Sequence, residues 1–112
     1  MTPAAPFRPR EILLALATHE VAYVVVGGIA VQAHGGQRLT RDLDLVVPMD
    51  RANYDRLAAA LSELDARLLG PSGATSGVPL DAALLASGDH WCLLSPHGQI
   101  DILTLPAALP LR

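Results

Sequence analysis

Apolar positions recur along the chain at two different spacings, and these spacings divide it into helices and strands. A period of three to four residues indicates a helix with one buried side, whereas alternation or a short apolar run bounded by Gly or Pro indicates a strand. The patterns predict helices at 10–19, 29–34 and 51–65, helical turns at 80–86, a loop at 70–77, and strands at 23–26, 42–47, 66–69, 90–95 and 99–105. Pro9 can occupy the first turn of the first helix, and Pro48 is expected to end the second strand.

The clearest helical pattern lies in residues 51–65. Asp50 is well placed to cap the first turn, because its carboxylate can accept a hydrogen bond from a free backbone N–H there. The apolar positions follow the i, i+3/i+4 rule and comprise Tyr54, Leu57, Ala58, Leu61, Leu64 and Leu68. This pattern predicts an amphipathic helix packed on a sheet.

The strand at 42–47 carries two acids among apolar residues. Side chains alternate between the faces of a strand, so Asp42 and Asp44 stand side by side on one face. Neighbouring carboxylates repel each other, and a divalent cation, which prefers oxygen ligands, is the obvious candidate to offset that cost. Asp101 lies alone in a later apolar strand, which adds to the case for metal binding. The alternatives are solvated acids on an exposed face and, for Asp101, a simple edge-strand charge.

A glycine pair follows the strand at 23–26. Gly27 and Gly28 lack a Cβ, so their backbone N–H groups can come close to a bulky anion. The predicted helix at 29–34 begins directly after them, and its N-terminus favours negative charge. A phosphate site near paired acids suggests phosphoryl or nucleotidyl transfer.

Residues 24–47 resemble the nucleotidyltransferase superfamily of the polymerase-beta type, whose signature is a Gly-Gly or Gly-Ser pair, a short helix and an Asp-hydrophobic-Asp strand. They are most similar to small stand-alone bacterial members, including the nucleotidyltransferase-like toxins of toxin–antitoxin systems. The residues that carry the resemblance are Gly27, Gly28, Arg38, Thr40, Asp42, Leu43 and Asp44. The resemblance implies an α/β (α+β) fold of the nucleotidyltransferase type: a small mixed sheet with helices on one face and an acid-bearing cleft on the other.

The resemblance also implies an activity, the transfer of a nucleoside monophosphate from an NTP such as ATP to an unidentified hydroxyl on an RNA end, a protein or a small molecule. Asp42, Asp44 and Asp101 would be the catalytic and metal-binding residues. They would hold two Mg²⁺ ions, one at the triphosphate and one at the acceptor hydroxyl. In the family a third acid on a neighbouring strand completes the metal site, which is the position expected for Asp101.

Nucleotide binding is assigned by the same resemblance to four residues. Gly27 and Gly28 would cradle the β- and γ-phosphates, and Arg38 could contact a phosphate or the acceptor. Thr40 stands with Arg38 in the loop before the acids, as in similar small members. The alternative is that Arg38 pairs with a nearby acid and Thr40 only ends the loop.

Length and composition suggest one domain over residues 1–112 that associates with another protein chain. The chain is 51% hydrophobic, which favours a surface covered by a second copy or by a partner subunit. Many relatives add a helical region that closes over the nucleotide, and almost no chain remains for it here after Leu105. The alternative function is therefore a nucleotide-binding or toxin–antitoxin interaction module that is inactive without a partner.

Charge and cysteine content bear on the binding partners and the cellular location of the protein. The net charge is -3, and the 8 basic residues are all Arg. They do not form a basic cluster in the sequence, so tight binding to long nucleic acid is not expected. Cys92 is the single cysteine, which fits a reducing cytoplasm, and its alternation with Leu94 predicts a thiol in the core. No signal peptide or membrane span is expected, and the predicted location is cytoplasmic.

Overall fold

The structure is a computed structural model that describes residues 7–26 and 42–106. In chain order, these residues form helix α1 (Pro9–Thr18), strand β1 (Val24–Val26), strand β2 (Asp42–Met49), helix α2 (Arg51–Glu63), strand β3 (Arg67–Leu69), strand β4 (Thr75–Ser76), helix α3 (Ala82–Ala86), strand β5 (His90–Ser95) and strand β6 (Gly98–Pro106).

The strands form one mixed sheet in the order β1-β2-β6-β5-β3-β4. The longest pairing is between the parallel strands β2 and β6, in which Asp44 lies opposite Asp101. The other pairs are antiparallel, and β5 and β6 form the hairpin that the sequence predicts around Pro96 and His97. The mixed α/β class is therefore confirmed.

The apolar core lies between one face of the sheet and the helices. Strand β2 alternates strictly, so Leu43, Leu45 and Val47 are buried while the residues between them are only partly covered. Helix α1 contributes Ile12 and helix α2 contributes Leu57 to the same core. Burying each such side chain stabilises the fold by about 1.5–3 kcal/mol, which fixes which face of β2 is left open.

Helix α2 forms as its amphipathic pattern predicts, although it ends at Glu63 rather than Asp65. The Asp50 carboxylate caps it by accepting a hydrogen bond from the backbone N–H of Asn53 at 2.9 Å. Capping of this kind is worth about 1 kcal/mol, so the N-terminus of α2 is firmly placed directly after β2.

Asn53 is a polar residue on the buried side of α2 that the apolar pattern does not reveal. Its side-chain Oδ1 accepts from the backbone N–H of Ala22 at 2.7 Å, and its Nδ2 donates to the Ala22 carbonyl at 3.1 Å. The Asn53 amide thus replaces a strand partner for the backbone just before β1. It fixes the position from which β1 enters the sheet.

Two sequence predictions about strand limits are wrong. Pro48 does not end β2, which continues to Met49 with Pro48 opposite Leu105. Strand β1 pairs with β2 only as far as Val46, so no β1 partner requires the N–H that proline lacks. The predicted loop at 70–77 also contains β4, because Thr75 and Ser76 pair with β3.

The remaining elements agree with prediction within one or two residues, as expected for element ends. The predicted short helix at 29–34 lies outside the described residues. In residues 7–26 and 42–106, no helix is long and apolar enough to cross a membrane.

Candidate metal centre

Three carboxylates converge on the open face of the sheet. Asp42 and Asp44 come from β2 and Asp101 from β6, and one possible ligand atom from each lies within 4.8 Å of the others. All three side chains are partly buried. The predicted convergence of these aspartates from two separate segments is therefore confirmed.

The convergence follows from the register of β2 against β6. Directly opposite residues in neighbouring strands point to the same face, so the pairing of Asp44 with Asp101 sets their carboxylates side by side. Asp42 shares that face because it is two residues from Asp44 on the same strand. A slip of one residue would turn Asp101 into the core, and the buried Ile100 and Ile102 prevent it.

Negative charge accumulates in this cluster. The pKa of Asp42 rises from 3.8 to about 6, because burial disfavours its charged form and because Asp101 and Asp44 add a hydrogen bond and like charges. The Gln99 amide donates to Asp101 Oδ1 at 3.1 Å, which holds that carboxylate in place. Among the described residues, the ion pairs join other acids to His or Arg and leave these three aspartates out.

The donor set fits a hard divalent cation. Carboxylate oxygens are the ligands that Mg²⁺ and Mn²⁺ prefer, and a cation would offset the repulsion that raises the pKa of Asp42. The cluster is also partly open, which leaves room for ligands from a substrate. The three aspartates could therefore bind a metal ion, as the sequence predicts.

Without metal, the fold should lose stability as the pH rises through this range. A carboxyl whose pKa rises on folding binds its proton more tightly in the folded state, so its contribution is present below 3.8 and lost by about pH 6. Asp42→Asn removes that titration. In EDTA, the variant should gain about 1 kcal/mol relative to the wild type between pH 4 and pH 7, after allowing for solvent screening.

Urea unfolding of both proteins at each pH measures this difference. Asp55→Asn, at an exposed acid of α2, is the control and should show no such trend. A constant difference between Asp42→Asn and the wild type over the whole range would contradict the repulsion described here.

The four predicted nucleotide-binding residues, Gly27, Gly28, Arg38 and Thr40, lie outside the described residues. Their assignment remains a prediction. The described neighbour of the glycine pair is Val26, which lies opposite Asp44 in the β1–β2 register. The chain therefore leaves the described part of β1 beside the acid cluster.

The prediction that Cys92 is a core thiol is wrong. Cys92 does alternate with Leu94, but the pair lies on the open face, since Cys92 is opposite Asp101 and Leu93 is the buried neighbour. Burial and the nearby Asp101 carboxylate raise the pKa of the Cys92 thiol, which keeps it protonated. The Cys92 thiol is thus a neighbour of the aspartate cluster.

A cavity of about 300 Å³ adjoins the aspartates. No pattern in the sequence predicts it. Its walls include Asp44 and Asp101 at one side and the apolar Val26, Val46 and Leu103. His90 also lines it, because β5 places this residue opposite Leu103. Only the register of β5 could have assigned His90 to this face, and that register is not visible in the sequence.

No family model, no characterised protein and no solved structure matches this chain.

Proposed function

We propose that this protein is a metal-dependent nucleotidyltransferase, which moves a nucleoside monophosphate from an NTP to a hydroxyl acceptor. The single observation that supports this most strongly is the convergence of Asp42, Asp44 and Asp101 from two parallel strands. Paired acids on one strand and a third on its neighbour, on an otherwise open face, suit a reaction in which phosphate charge must be held and neutralised.

Each aspartate has a role in this proposal. Asp42 and Asp44 would hold a cation at the triphosphate, and Asp101 would help to hold a second one at the acceptor. When bound, Mg²⁺ neutralises charge on the phosphates and lowers the pKa of the acceptor hydroxyl. Asp101 accepts the proton of that hydroxyl, whose oxygen forms a bond to the α-phosphorus. The bond from that phosphorus to the bridging oxygen breaks, and pyrophosphate leaves with the electron pair.

The proposal also includes phosphate contacts that are predicted from the sequence. Gly27 and Gly28 follow β1 directly, and their backbone N–H groups are assigned to the β- and γ-phosphates. Arg38 is assigned to a phosphate or to the acceptor, and Thr40 to the loop that leads to Asp42.

A second candidate function is a nucleotide-binding or toxin–antitoxin interaction module that needs a partner subunit or a second copy for turnover. It is favoured by the apolar side chains exposed on the same face as the acids, Val24, Val26 and Leu103. Apolar surface beside a charged site is suited to be covered by another protein. The two candidates differ in whether the chain alone transfers nucleotide.

Label position on the NTP tests the proposed function. The protein is incubated with Mg²⁺, total cell RNA or lysate, and ATP labelled at either the α- or the γ-phosphate, and each of the other NTPs is then tested in turn. We expect the α-label on an acceptor and the γ-label in pyrophosphate. Asp42→Ala/Asp44→Ala should abolish both results, whereas Asp55→Ala, at an exposed acid of α2, should preserve them.

Two outcomes would count against the proposed function. Transfer of the γ-label to an acceptor would indicate a phosphotransferase instead. Transfer of the α-label that survives the double substitution would show that the aspartates are not the catalytic centre. Transfer that appears only when a second protein is added would favour the partner-dependent candidate.

A further inference from the structure

The cavity beside the acids combines charge at one end with apolar walls elsewhere. Asp44 and Asp101 line one side, and the remaining described walls include Val26, Val46 and Leu103. Val26 is 41% exposed and Leu103 is 42% exposed, so both side chains keep apolar surface in water directly beside the aspartates. Such concave, mostly apolar surface next to a few polar groups is typical of a ligand site.

The direction of the cavity favours the acceptor over the phosphates as its occupant. From Asp44 and Asp101 it extends across the sheet to Leu103 and His90, and Asp42 does not line it. Asp101 is the residue to which the proposed function gives the acceptor hydroxyl. An acceptor that presents its hydroxyl to Asp101 would therefore rest the remainder of its structure against Leu103 and Val46.

The described lining of the cavity offers no cation to a polynucleotide. A nucleic-acid end brings its own phosphates, which need Arg or Lys beside them. Of the five arginines in residues 7–26 and 42–106, none lines this cavity or the apolar one next to it at Val24 and Pro48.

His90 is the one polar side chain other than the acids that lines the cavity from the described residues. Its position opposite Leu103 puts it on the far side of the apolar walls from Asp44. An imidazole can donate or accept one hydrogen bond without a fixed charge. It is therefore suited to a neutral polar group on an otherwise apolar molecule.

We infer that this cavity is the acceptor subsite, and that the acceptor is an uncharged hydroxyl on an apolar body rather than a nucleic-acid end. The inference rests on the proposed function and narrows its acceptor class. The oxygen of this hydroxyl forms the new bond to the α-phosphorus, its proton passes to Asp101, and pyrophosphate leaves. Leu103 and Val46 position the acceptor, and they do not take part in the bond changes.

Matched acceptors test this inference with the full chain, Mg²⁺ and α-labelled ATP. The probes are hexanol, glycerol, a short peptide with serine between leucines, and an RNA oligonucleotide with a free 3′-hydroxyl. Hexanol or the peptide should be labelled at least about tenfold faster than glycerol, which has hydroxyls but no apolar body. A preference for the peptide over hexanol would identify a protein-borne hydroxyl, and the reverse a small molecule.

Leu103→Gln provides the variant arm. It should raise the KM for the preferred acceptor by about tenfold while leaving the KM for ATP unchanged, because Leu103 lies opposite Val46 and not opposite Asp42 or Asp44. Leu14→Gln is the matched control, since Leu14 is 52% exposed on α1 and does not line this cavity. Preferential labelling of the RNA oligonucleotide, with no effect of Leu103→Gln, would overturn the inference while leaving nucleotidyl transfer intact.

A binding measurement tests whether the cavity binds apolar ligands independently of whether the protein transfers nucleotide. Hexanol should shift the methyl NMR signals of Val26 and Leu103 but not those of Leu14, whether or not ATP is present. If pyrophosphate is not released from ATP with any of the acceptors, the proposed function is wrong. If the methyl signals do not move, the cavity does not bind apolar ligands, and the inference is overturned regardless of turnover.

Discussion

Asp101→Asn is expected to lower the rate of nucleotide transfer by about 1,000-fold, with the fold intact. Asparagine has the shape of aspartate but cannot take the proton of the acceptor hydroxyl. It also removes one negative charge from the three carboxylates that would hold the cations. Pyrophosphate release at saturating ATP and Mg²⁺ measures the change in kcat.

The same substitution should stabilise the metal-free protein at neutral pH. Asp101 is one cause of the raised pKa of Asp42, so its neutralisation relieves repulsion in the folded state. Lost activity together with gained stability distinguishes a functional role from a structural one. Asp89→Asn, at an exposed acid just before β5, is the control and should change neither quantity much. Activity of Asp101→Asn within tenfold of the wild type would contradict the assigned role.

Asn53→Leu is expected to lower the free energy of unfolding by about 3 kcal/mol. Asn53 is 1% exposed, and its amide makes both hydrogen bonds to the backbone of Ala22. Leucine has a similar volume but leaves the Ala22 N–H and carbonyl, whose bonds to Asn53 are part-buried, without those partners. Urea unfolding followed by circular dichroism measures the loss.

The effect should also reach the site, because Ala22 lies two residues before β1 and β1 borders the acids through Val26 and Asp44. We therefore expect a reduced affinity for Mn²⁺ as well as reduced stability. Ser62→Leu, at an exposed position on the same helix, should change stability by less than about 0.5 kcal/mol. A cost below about 1 kcal/mol for Asn53→Leu would show that water replaces the lost hydrogen bonds.

The acid cluster was predictable because strand alternation has a period of two. Once β2 buries Leu43 and Leu45, Asp42 and Asp44 must face the other way. The same rule applied to β6, where Ile100 and Ile102 are buried, leaves Asp101 on the open face. Alternation does not say that the acids of the two strands face the same way or lie opposite each other. The pairing of β2 with β6 in the structure shows both.

The side on which Cys92 lies was not predictable in the same way. Alternation groups Cys92 with Leu94 but does not say which group faces the helices, because both groups in β5 contain apolar residues. The pairing of Cys92 with Asp101 decides it. His90 reaches the cavity for the same reason, and neither residue has a local sequence signal for that role.

Asn53 shows a third limit of sequence reasoning. A polar residue near the start of an amphipathic helix is usually solvated, and nothing local indicates that it will meet the backbone of Ala22, which is 31 residues away in sequence. Pro48 is similar, since whether a proline ends a strand depends on how far the neighbouring strand extends. Both features depend on contacts between elements rather than on the elements themselves.

Titration with Mn²⁺, followed by electron paramagnetic resonance of the free ion at neutral pH, tests the central claim most directly. Wild-type protein should bind Mn²⁺ at a saturable site that Mg²⁺ displaces, and Asp44→Asn and Asp101→Asn should each weaken that binding at least about tenfold. Asp55→Asn should bind like the wild type. Equal Mn²⁺ binding by the wild type and both cluster variants would contradict a metal centre formed by these aspartates.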